Sequence, residues 1–470
     1  MKRPSFLYSI SPIVFMMISL TIGVGFLKLK AEPIILICAL FTGILAYKLG
    51  YSWQELQEGI IEKISKALPA TLILWSVGLL IGSWIFCGTV PMLIYYGVGI
   101  INPKFLYITA FIISAILSVV TGTSWGSVGT IGVAIMGIAH GLGVSLPITA
   151  GAVVAGSYFG DKLSPFSDTT NLAPIAAGSE LYEHIRHMLY TTIPATVVSL
   201  IVYFICGLGL TQSASSSAQV IELQEGLNNA FNFNVILLLP VIIIILGTIL
   251  KLPTLPVMIV TSLISVFIGI FVQGFSLVDG FSSLINGFDL SMLKTDMIMN
   301  EDIQRLLNRG GVSSVTQTSV LVFCAMGFAG IMSKAGFLDV VLNALLKRVH
   351  STFGLISSTI LSCFTVAFIT GNSYLSILIP GELFQKAYPE KNLHPKNLSR
   401  TLEDSGTVLV PLIPWSAAGA YMTATLGVDT LSYLPFAVFN YIGIIFALIL
   451  AFNGIGIEKI QKKEEKNDSY

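Results

Sequence analysis

Apolar runs of helix length recur along the whole chain of 470 residues. A helix needs about 20 apolar residues to cross the roughly 30 Å of hydrocarbon in a bilayer. Charged residues make up 11% of the chain and apolar residues 54%, whereas soluble domains carry about 25% charged residues. The runs therefore predict an all-α membrane protein, and no long alternating segments of the kind found in membrane barrels are present.

Two regions contain runs that are too short to cross a bilayer. Residues 105–139 and 353–388 each join a helix-length stretch, a polar tip rich in Gly and Ser, and a shorter apolar stretch. This pattern predicts a re-entrant hairpin, which is stable only where protein or a water-filled cavity covers the bent backbone. With both hairpins counted as non-crossing, about ten transmembrane helices remain.

The basic residues predict the orientation of these helices. With the N-terminus inside, 18 of the 25 Lys and Arg residues fall on the inner side and 6 on the outer side. This bias predicts that both termini are cytoplasmic. The segment 52–66 has a mixed face and is predicted to lie as a separate helix along the cytoplasmic interface.

The chain also repeats itself. The sequence GYSWQELQEGI from Gly50 matches GFSLVDGFSSLI from Gly274, and VTGTSWGS from Val120 matches ITGNSYLS from Ile369. Each unit would contain five crossings and one hairpin, and an odd number of crossings turns the second unit upside down in the membrane. The sequence therefore predicts two inverted-topology repeats, an architecture found in many secondary transporters. The predicted divisions are a first repeat at 1–210, an external linker at 211–232, a second repeat at 233–455 and a solvated cytoplasmic tail at 456–470.

A polar stretch follows each predicted hairpin. The first is YFGDKLSPFSDTTNLAP, residues 158–174, and the second is EDSGTVLVPLIPWSAAG from Glu403. Proline interrupts a helix and frees backbone carbonyls, so each stretch predicts two half-helices that meet at an unwound segment. Carboxylate, hydroxyl and carbonyl oxygens suit a small hard cation, while half-helix N-termini favour an anion.

The acidic residues in these stretches predict cation and proton handling. A charge at the centre of a membrane costs roughly 2.5–3.5 kcal/mol on insertion scales, so Asp161 and Asp168 need a functional reason to be there. Asp404 is predicted to be the counterpart of Asp161 in the second half, and Lys162 to hold an aspartate in its charged form. Oxygens would also come from the two hairpin tips, whose residues are Thr121, Gly122, Thr123 and Ser124, and Thr370, Gly371, Asn372 and Ser373.

Structural roles for the same residues stay open at this stage. Asp161 and Lys162 could pair locally and cap a helix at the surface. Asp168 and Asp404 could each be a helix N-cap. The two tips could be tight turns without any ligand.

The motifs GSYFGDKLSPFSDTTNLA (156–173), TGTSWGSVGTIGVA (121–134) and TGNSYLS (370–376) resemble those of the NhaC family of sodium/proton antiporters, in the ion-transporter superfamily. The resemblance extends over almost the whole chain. It implies inverted repeats, two hairpins and alternating access by elevator-like or rocking motion. It also implies that binding involves Asp161, Ser164, Asp168, Thr169 and Asn171. Some similar proteins exchange malate and protons against lactate and sodium.

Three functions are weighed on this basis. The first is exchange of Na+ against H+ across the plasma membrane of a bacterium, without enzymatic activity or a cofactor. The second is a malate-proton/sodium-lactate exchange. The third is a membrane enzyme or a passive channel, but the sequence has no G-x-x-x-x-G-K phosphate loop and no nucleophile–base pair stands out. Small residues such as Gly43 and Gly50 leave a homodimer open.

Overall fold

A computed structural model describes residues 4–27, 29–209, 217–250, 252–293, 304, 307–347 and 351–460. Within these ranges the chain is helical, and the one β-bridge joins Leu393 to Lys459. The α-helices of the first half are α1 Phe6–Leu20, α2 Ala31–Lys48, α3 Trp53–Cys87, α4 Thr89–Ile100, α5 Leu106–Thr121, α6 Ser124–Ser127, α7 Val133–Gly141, α8 Leu146–Leu163, α9 Asp168–Ala177 and α10 Leu181–Leu208.

The second half continues the same pattern. Its α-helices are α11 Ser217–Ala230, α12 Leu239–Ile249, α13 Thr254–Ile268, α14 Leu277–Asn286, α15 Gly311–Lys334, α16 Phe337–Leu346, α17 Thr352–Thr370, α18 Ser373–Phe384, α19 Ala387–Glu390, α20 Pro395–Leu402, α21 Ala417–Leu426, α22 Thr430–Tyr433 and α23 Val438–Asn453. Four π-helical turns interrupt or extend these helices, at Thr21–Phe26, Val128–Gly132, Gly269–Gln273 and Glu403–Thr407.

The described helices have the lengths and compositions of membrane spans. Eight are long and apolar enough to cross a bilayer, and the number rises to 11 if each of three bent helix pairs counts as one span. The predicted class, an all-α membrane protein with about ten transmembrane helices, is confirmed. The inverted orientation of the two halves stays a prediction.

Helix α3 differs from the prediction. Residues 52–66 do not form a separate interfacial helix, because they are the N-cap and the first four turns of a continuous helix of 35 residues. Its start is fixed by a capping box in which the Ser52 side chain accepts from the Glu55 amide and the Glu55 carboxylate accepts from the Ser52 amide. Its remaining two-thirds pack into the protein interior, mainly against α15 and α13.

Corresponding helices of the two halves end in the same way, which supports the repeat. Paired glycines 224 to 249 residues apart have a left-handed backbone. Paired serines cap the helices that follow a break, Ser167 before α9 and Ser416 before α21. The glycine pairs are Gly50 and Gly274, Gly88 and Gly336, Gly122 and Gly371, and Gly178 and Gly427.

The predicted linker and tail contain ordered structure where they are described. Residues Ser217–Ala230 of the linker form α11, and residues 210–216 lie outside the described part. Residues 456–460 of the tail bind alongside α20, where the His394 amide donates to the Glu458 carbonyl at 2.9 Å and the Ile460 amide to the Asn392 carbonyl at 3.1 Å. The Arg400 guanidinium donates to the Gly456 carbonyl at 2.8 Å. Residues 461–470 lie outside the described part.

Candidate functional site

Each predicted hairpin is a pair of helices joined at a glycine. In the first, α5 ends at Gly122, whose φ of 67° lies in the left-handed region. The chain then folds back, since the Ser127 hydroxyl donates to the Ser114 carbonyl of α5 at 2.9 Å. In the second, α17 ends at Gly371, with a φ of 58°, and α18 packs back along α17. Glycine adopts this backbone conformation without the steric cost that a Cβ atom imposes.

The residue after each glycine caps the helix that follows. The Thr123 side chain accepts from the Gly126 amide at 3.3 Å, and the Asn372 side chain accepts from the Leu375 amide at 3.1 Å. These hydrogen bonds satisfy amides that a helix N-terminus leaves without intrahelical partners. The two tips are therefore turns whose backbone is fixed by hydrogen bonds.

Each tip packs against the broken helix of its own half. A Cβ atom on Gly122 would lie 2.7 Å from the Phe166 Cβ, in the break between α8 and α9. A Cβ atom on Gly371 would lie 2.9 Å from the Ser416 Cα, in the break before α21. The predicted unwound segments are thus confirmed, and both are in contact with the tips as the repeat requires.

The two tips and the first broken helix enclose a cavity of about 800 Å³. Eleven of the residues predicted for the site line it, and they come from both halves of the chain. They are Thr121, Gly122, Thr123, Ser124, Asp161, Asp168, Thr169, Asn171, Gly371, Asn372 and Ser373. Four predicted residues do not line it, namely Lys162, Ser164, Thr370 and Asp404.

Asp161 is the buried acid of this cavity. Its side chain belongs to the last turn of α8 and the residue is 7% exposed. The Ser124 hydroxyl at the first tip donates to Asp161 Oδ2 at 2.8 Å. The carboxylate is therefore tied to the hairpin tip while it faces the cavity.

Lys162 forms an ion pair with Asp404 in the other half of the chain. Both side chains are buried, and the Thr191 hydroxyl also donates to Asp404 Oδ1, at 3.0 Å. The alternative of a local Asp161–Lys162 pair at the surface is therefore wrong. Lys162 does neutralise an aspartate, as predicted, but the partner is Asp404.

The position of Asp404 also corrects the sequence alignment of the halves. Asp404 lies 12 residues before the cap Ser416, whereas Asp161 lies 6 residues before the cap Ser167. Asp404 is thus not the structural counterpart of Asp161. It does not cap a helix either, because it lies within the π-helical turn Glu403–Thr407.

Asp168 is exposed, against the expectation that it lies buried at the centre of the membrane. It is the first residue of α9, and Ser167, not Asp168, is the N-cap. The Tyr374 hydroxyl donates to Asp168 Oδ2 at 3.1 Å, which links α9 to the second hairpin. Asp168 therefore lies at the accessible side of the cavity.

Three of the other predicted residues make hydrogen bonds that hold the backbone. The Ser164 hydroxyl donates to the Val119 carbonyl at 2.8 Å, and the Thr370 hydroxyl donates within α17 to Val366 at 2.7 Å. The Asn171 amide donates to the Pro165 carbonyl at 2.9 Å and leaves its oxygen for other partners. These contacts shape the break and the second tip.

The sequence prediction missed Glu403. This residue is 0% exposed, and its Oε1 accepts from the Thr169 hydroxyl at 3.3 Å. Its Oε2 has no hydrogen-bond partner among the described residues. The available signal was the position of Glu403 directly before Asp404, at the start of the stretch 405–428 that has no charged residue, where an acid inside a membrane requires an explanation.

The arrangement suits a small cation. The cavity wall carries two carboxylates, several hydroxyls and two side-chain amides, whose oxygens are the ligands that hard cations prefer. Among the described residues, the one basic side chain in this wall is Lys66, which is about half exposed and bonded to Glu62 at 2.7 Å. The wall therefore presents more negative than positive charge to a solute.

Comparisons with known proteins agree with this chemistry. A family model described as "Na+/H+ antiporter family" matches residues 156–455. An uncharacterized Na(+)/H(+) antiporter of Haemophilus influenzae is 51% identical over 98% of both chains. Na(+)/H(+) antiporter NhaC of Alkalihalophilus pseudofirmus is 38% identical over 93% of this chain and 94% of its own. A malate-2H(+)/Na(+)-lactate antiporter of Bacillus subtilis is 36% identical over 94% and 93%. The chain therefore belongs to the Na+/H+ antiporter family.

Proposed function

We propose that this chain exchanges Na+ against H+ across a bacterial plasma membrane, with both ions using the cavity between the hairpin tips. The observation that carries the proposal is Asp161, a buried carboxylate that accepts from the Ser124 hydroxyl at 2.8 Å and lines the cavity together with side-chain hydroxyls and amides. Family membership points to a transporter rather than an enzyme.

Competition for one carboxylate is sufficient for exchange. A proton on Asp161 removes the charge that attracts Na+, and a bound Na+ favours the ionised carboxylate. One site that holds either ion, but not both, couples the two fluxes when it opens to each side of the membrane in turn.

The remaining residues would assist Asp161 in distinct ways. Asp168 lies exposed at the cavity and would attract a cation on entry. The tip residues Thr123, Asn372 and Ser373 would supply neutral oxygens. Lys162 and Asp404 neutralise each other, so they would support the site without binding the ion.

Proteoliposomes test the proposal. Wild-type protein should produce proton flux that depends on a Na+ gradient, read by a pH-sensitive dye, and Asp161→Asn should abolish it. Glu58→Gln is the matched control, because Glu58 is an exposed acid paired with Lys334 at 3.2 Å, outside the cavity wall. Undiminished Na+-driven flux in Asp161→Asn would remove this residue from the mechanism.

Exchange of carboxylates is the second candidate. The Bacillus subtilis relative is named for malate and lactate, and a cavity of about 800 Å³ has room for a small organic acid. The excess of negative charge in its wall favours a cation instead. Uptake of radiolabelled malate or lactate separates the two, since an exchanger of Na+ and H+ alone takes up neither.

The orientation rests on the charge bias. With 18 basic residues on one predicted side and 6 on the other, both termini are proposed to be cytoplasmic and the two repeats inverted. A reporter fused after the last residue, active only in the cytoplasm, tests this placement. The homodimer stays a prediction.

A further inference from the structure

Glu403 lies directly behind the wall of the cavity. It begins the π-helical turn Glu403–Thr407 and is fully buried, while Thr169, which donates to its Oε1, is part of the cavity wall. The turn is held in place by the second hairpin, because the Ser376 hydroxyl donates to the Gly406 carbonyl at 2.5 Å. A Cβ atom on Gly406 would lie 2.8 Å from the Ser376 carbonyl oxygen. Glu403 is therefore fixed in position relative to Thr169.

The hydrogen bond between Thr169 and Glu403 decides how the threonine hydroxyl is oriented. When Glu403 is ionised, its carboxylate only accepts hydrogen bonds, so the proton of the Thr169 hydroxyl points to Glu403. The oxygen of that hydroxyl retains two acceptor sites. One is within reach of the Ser167 hydroxyl at 3.2 Å, and the other remains for a ligand in the cavity. A hydroxyl held in this way can bind a cation but cannot donate to an anion.

The same arrangement occurs twice more in the cavity. The Ser124 hydroxyl donates to Asp161 Oδ2 at 2.8 Å, and the Tyr374 hydroxyl donates to Asp168 Oδ2 at 3.1 Å, so both hydroxyl oxygens are also available as acceptors. In Thr169, a residue of the first half is oriented by Glu403 of the second half.

The charge of Glu403 is also unbalanced by its protein neighbours. Its Oε2 lacks a hydrogen-bond partner in the described part of the chain. The buried cation next to it, Lys162, is bound to Asp404. A buried acid is either neutralised by a proton or, when ionised, paired or coordinated to an ion, so an ionised Glu403 would draw its balancing positive charge from the cavity.

We infer that Glu403 is a positioning residue for the transported cation: it orients the Thr169 hydroxyl as a ligand and places a second negative charge behind the wall. This inference rests on the proposed function, since it assumes that Na+ occupies the cavity. Removal of a residue that orients a metal ligand in this way typically lowers the affinity for the metal about 10- to 100-fold.

The test measures the KM for Na+ and the maximal rate separately, in proteoliposomes at one fixed alkaline pH. Glu403→Gln keeps the size of the side chain and removes the charge, and it should raise KM about 10- to 100-fold with the maximal rate at saturating Na+ unchanged. Thr169→Val removes the hydroxyl and should raise KM in the same direction. Thr169→Ser restores the hydroxyl and should return KM towards the wild-type value.

The outcomes distinguish the inference from the function on which it rests. Wild-type protein without any Na+-dependent proton flux overturns the proposed function. A wild-type KM in Glu403→Gln, in protein that transports, overturns only the role of Glu403. If Glu403→Gln does not fold, the threonine pair decides, because equal KM values for Thr169→Val and Thr169→Ser also overturn the inference.

Discussion

Removal of Lys162 should destabilise the protein far more than removal of an exposed lysine. Its ammonium group pairs with Asp404 where neither side chain is more than 2% exposed. In Lys162→Met, Asp404 would remain buried with the Thr191 hydroxyl as its one partner at Oδ1, since Oδ2 has none among the described residues. Breaking a buried pair from one side costs about 3–5 kcal/mol.

The double variant supplies the decisive comparison. Lys162→Met with Asp404→Asn leaves no unpaired buried charge, and replacement of a whole buried pair is often close to neutral. We therefore expect the double variant to unfold at a higher temperature than Lys162→Met alone. Thermal unfolding in detergent, followed by tryptophan fluorescence, is measured for the wild type, the two single variants and the double variant. The four unfolding temperatures form a double-mutant cycle.

An exposed pair on α3 provides the control. Lys66 and Glu62 are bonded at 2.7 Å with side chains 47% and 60% exposed, and such pairs contribute about 0–1 kcal/mol. Lys66→Met should therefore change the unfolding temperature little. If the effects of Lys162→Met and Asp404→Asn simply add in the double variant, the two groups do not interact and the reasoning is refuted.

Two smaller changes test the cavity itself. Gly122→Ala places a Cβ atom 2.7 Å from the Phe166 Cβ, at a left-handed φ of 67°. It should lower the free energy of unfolding by about 1–2 kcal/mol and abolish most of the flux. Gly43→Ala, whose Cβ atom would have nothing within 4 Å, should leave the stability and the flux unchanged. Equal unfolding temperatures for the two alanine variants would contradict this. Tyr374→Phe removes the hydrogen bond to the exposed Asp168 at 3.1 Å and should cost at most about 1 kcal/mol while raising the KM for Na+. An unchanged KM would show that this hydrogen bond does not position Asp168 for cation entry.

The sequence predicts the class of fold and the location of the site because both depend on local patterns. Apolar runs define the helices, and TGTS, TGNS and the proline-containing stretches mark where these helices turn or break. Length alone, however, does not show where an amphipathic helix ends, so α3 was divided at about residue 66 although it continues to Cys87.

Pairings between distant residues could not be predicted, because they depend on how the two halves pack. Lys162 is next to Asp161 in the sequence, yet its side chain pairs with Asp404, 242 residues away. Neighbours along a helix point in different directions, since successive side chains are about 100° apart. The break between α8 and α9 separates the buried Asp161 from the exposed Asp168. The adjacent residues Glu403 and Asp404 likewise point to different partners, Thr169 and Lys162.

The docked segment at residues 456–460 has a consequence for biosynthesis. The Arg400 guanidinium is buried, and its one hydrogen-bond acceptor within the described residues is the Gly456 carbonyl. Gly456 leaves the ribosome 56 residues after Arg400, when α23 has already been made. Until then the buried Arg400 guanidinium lacks this acceptor, so we expect the packing around α20 to be completed only after the last helix has been made.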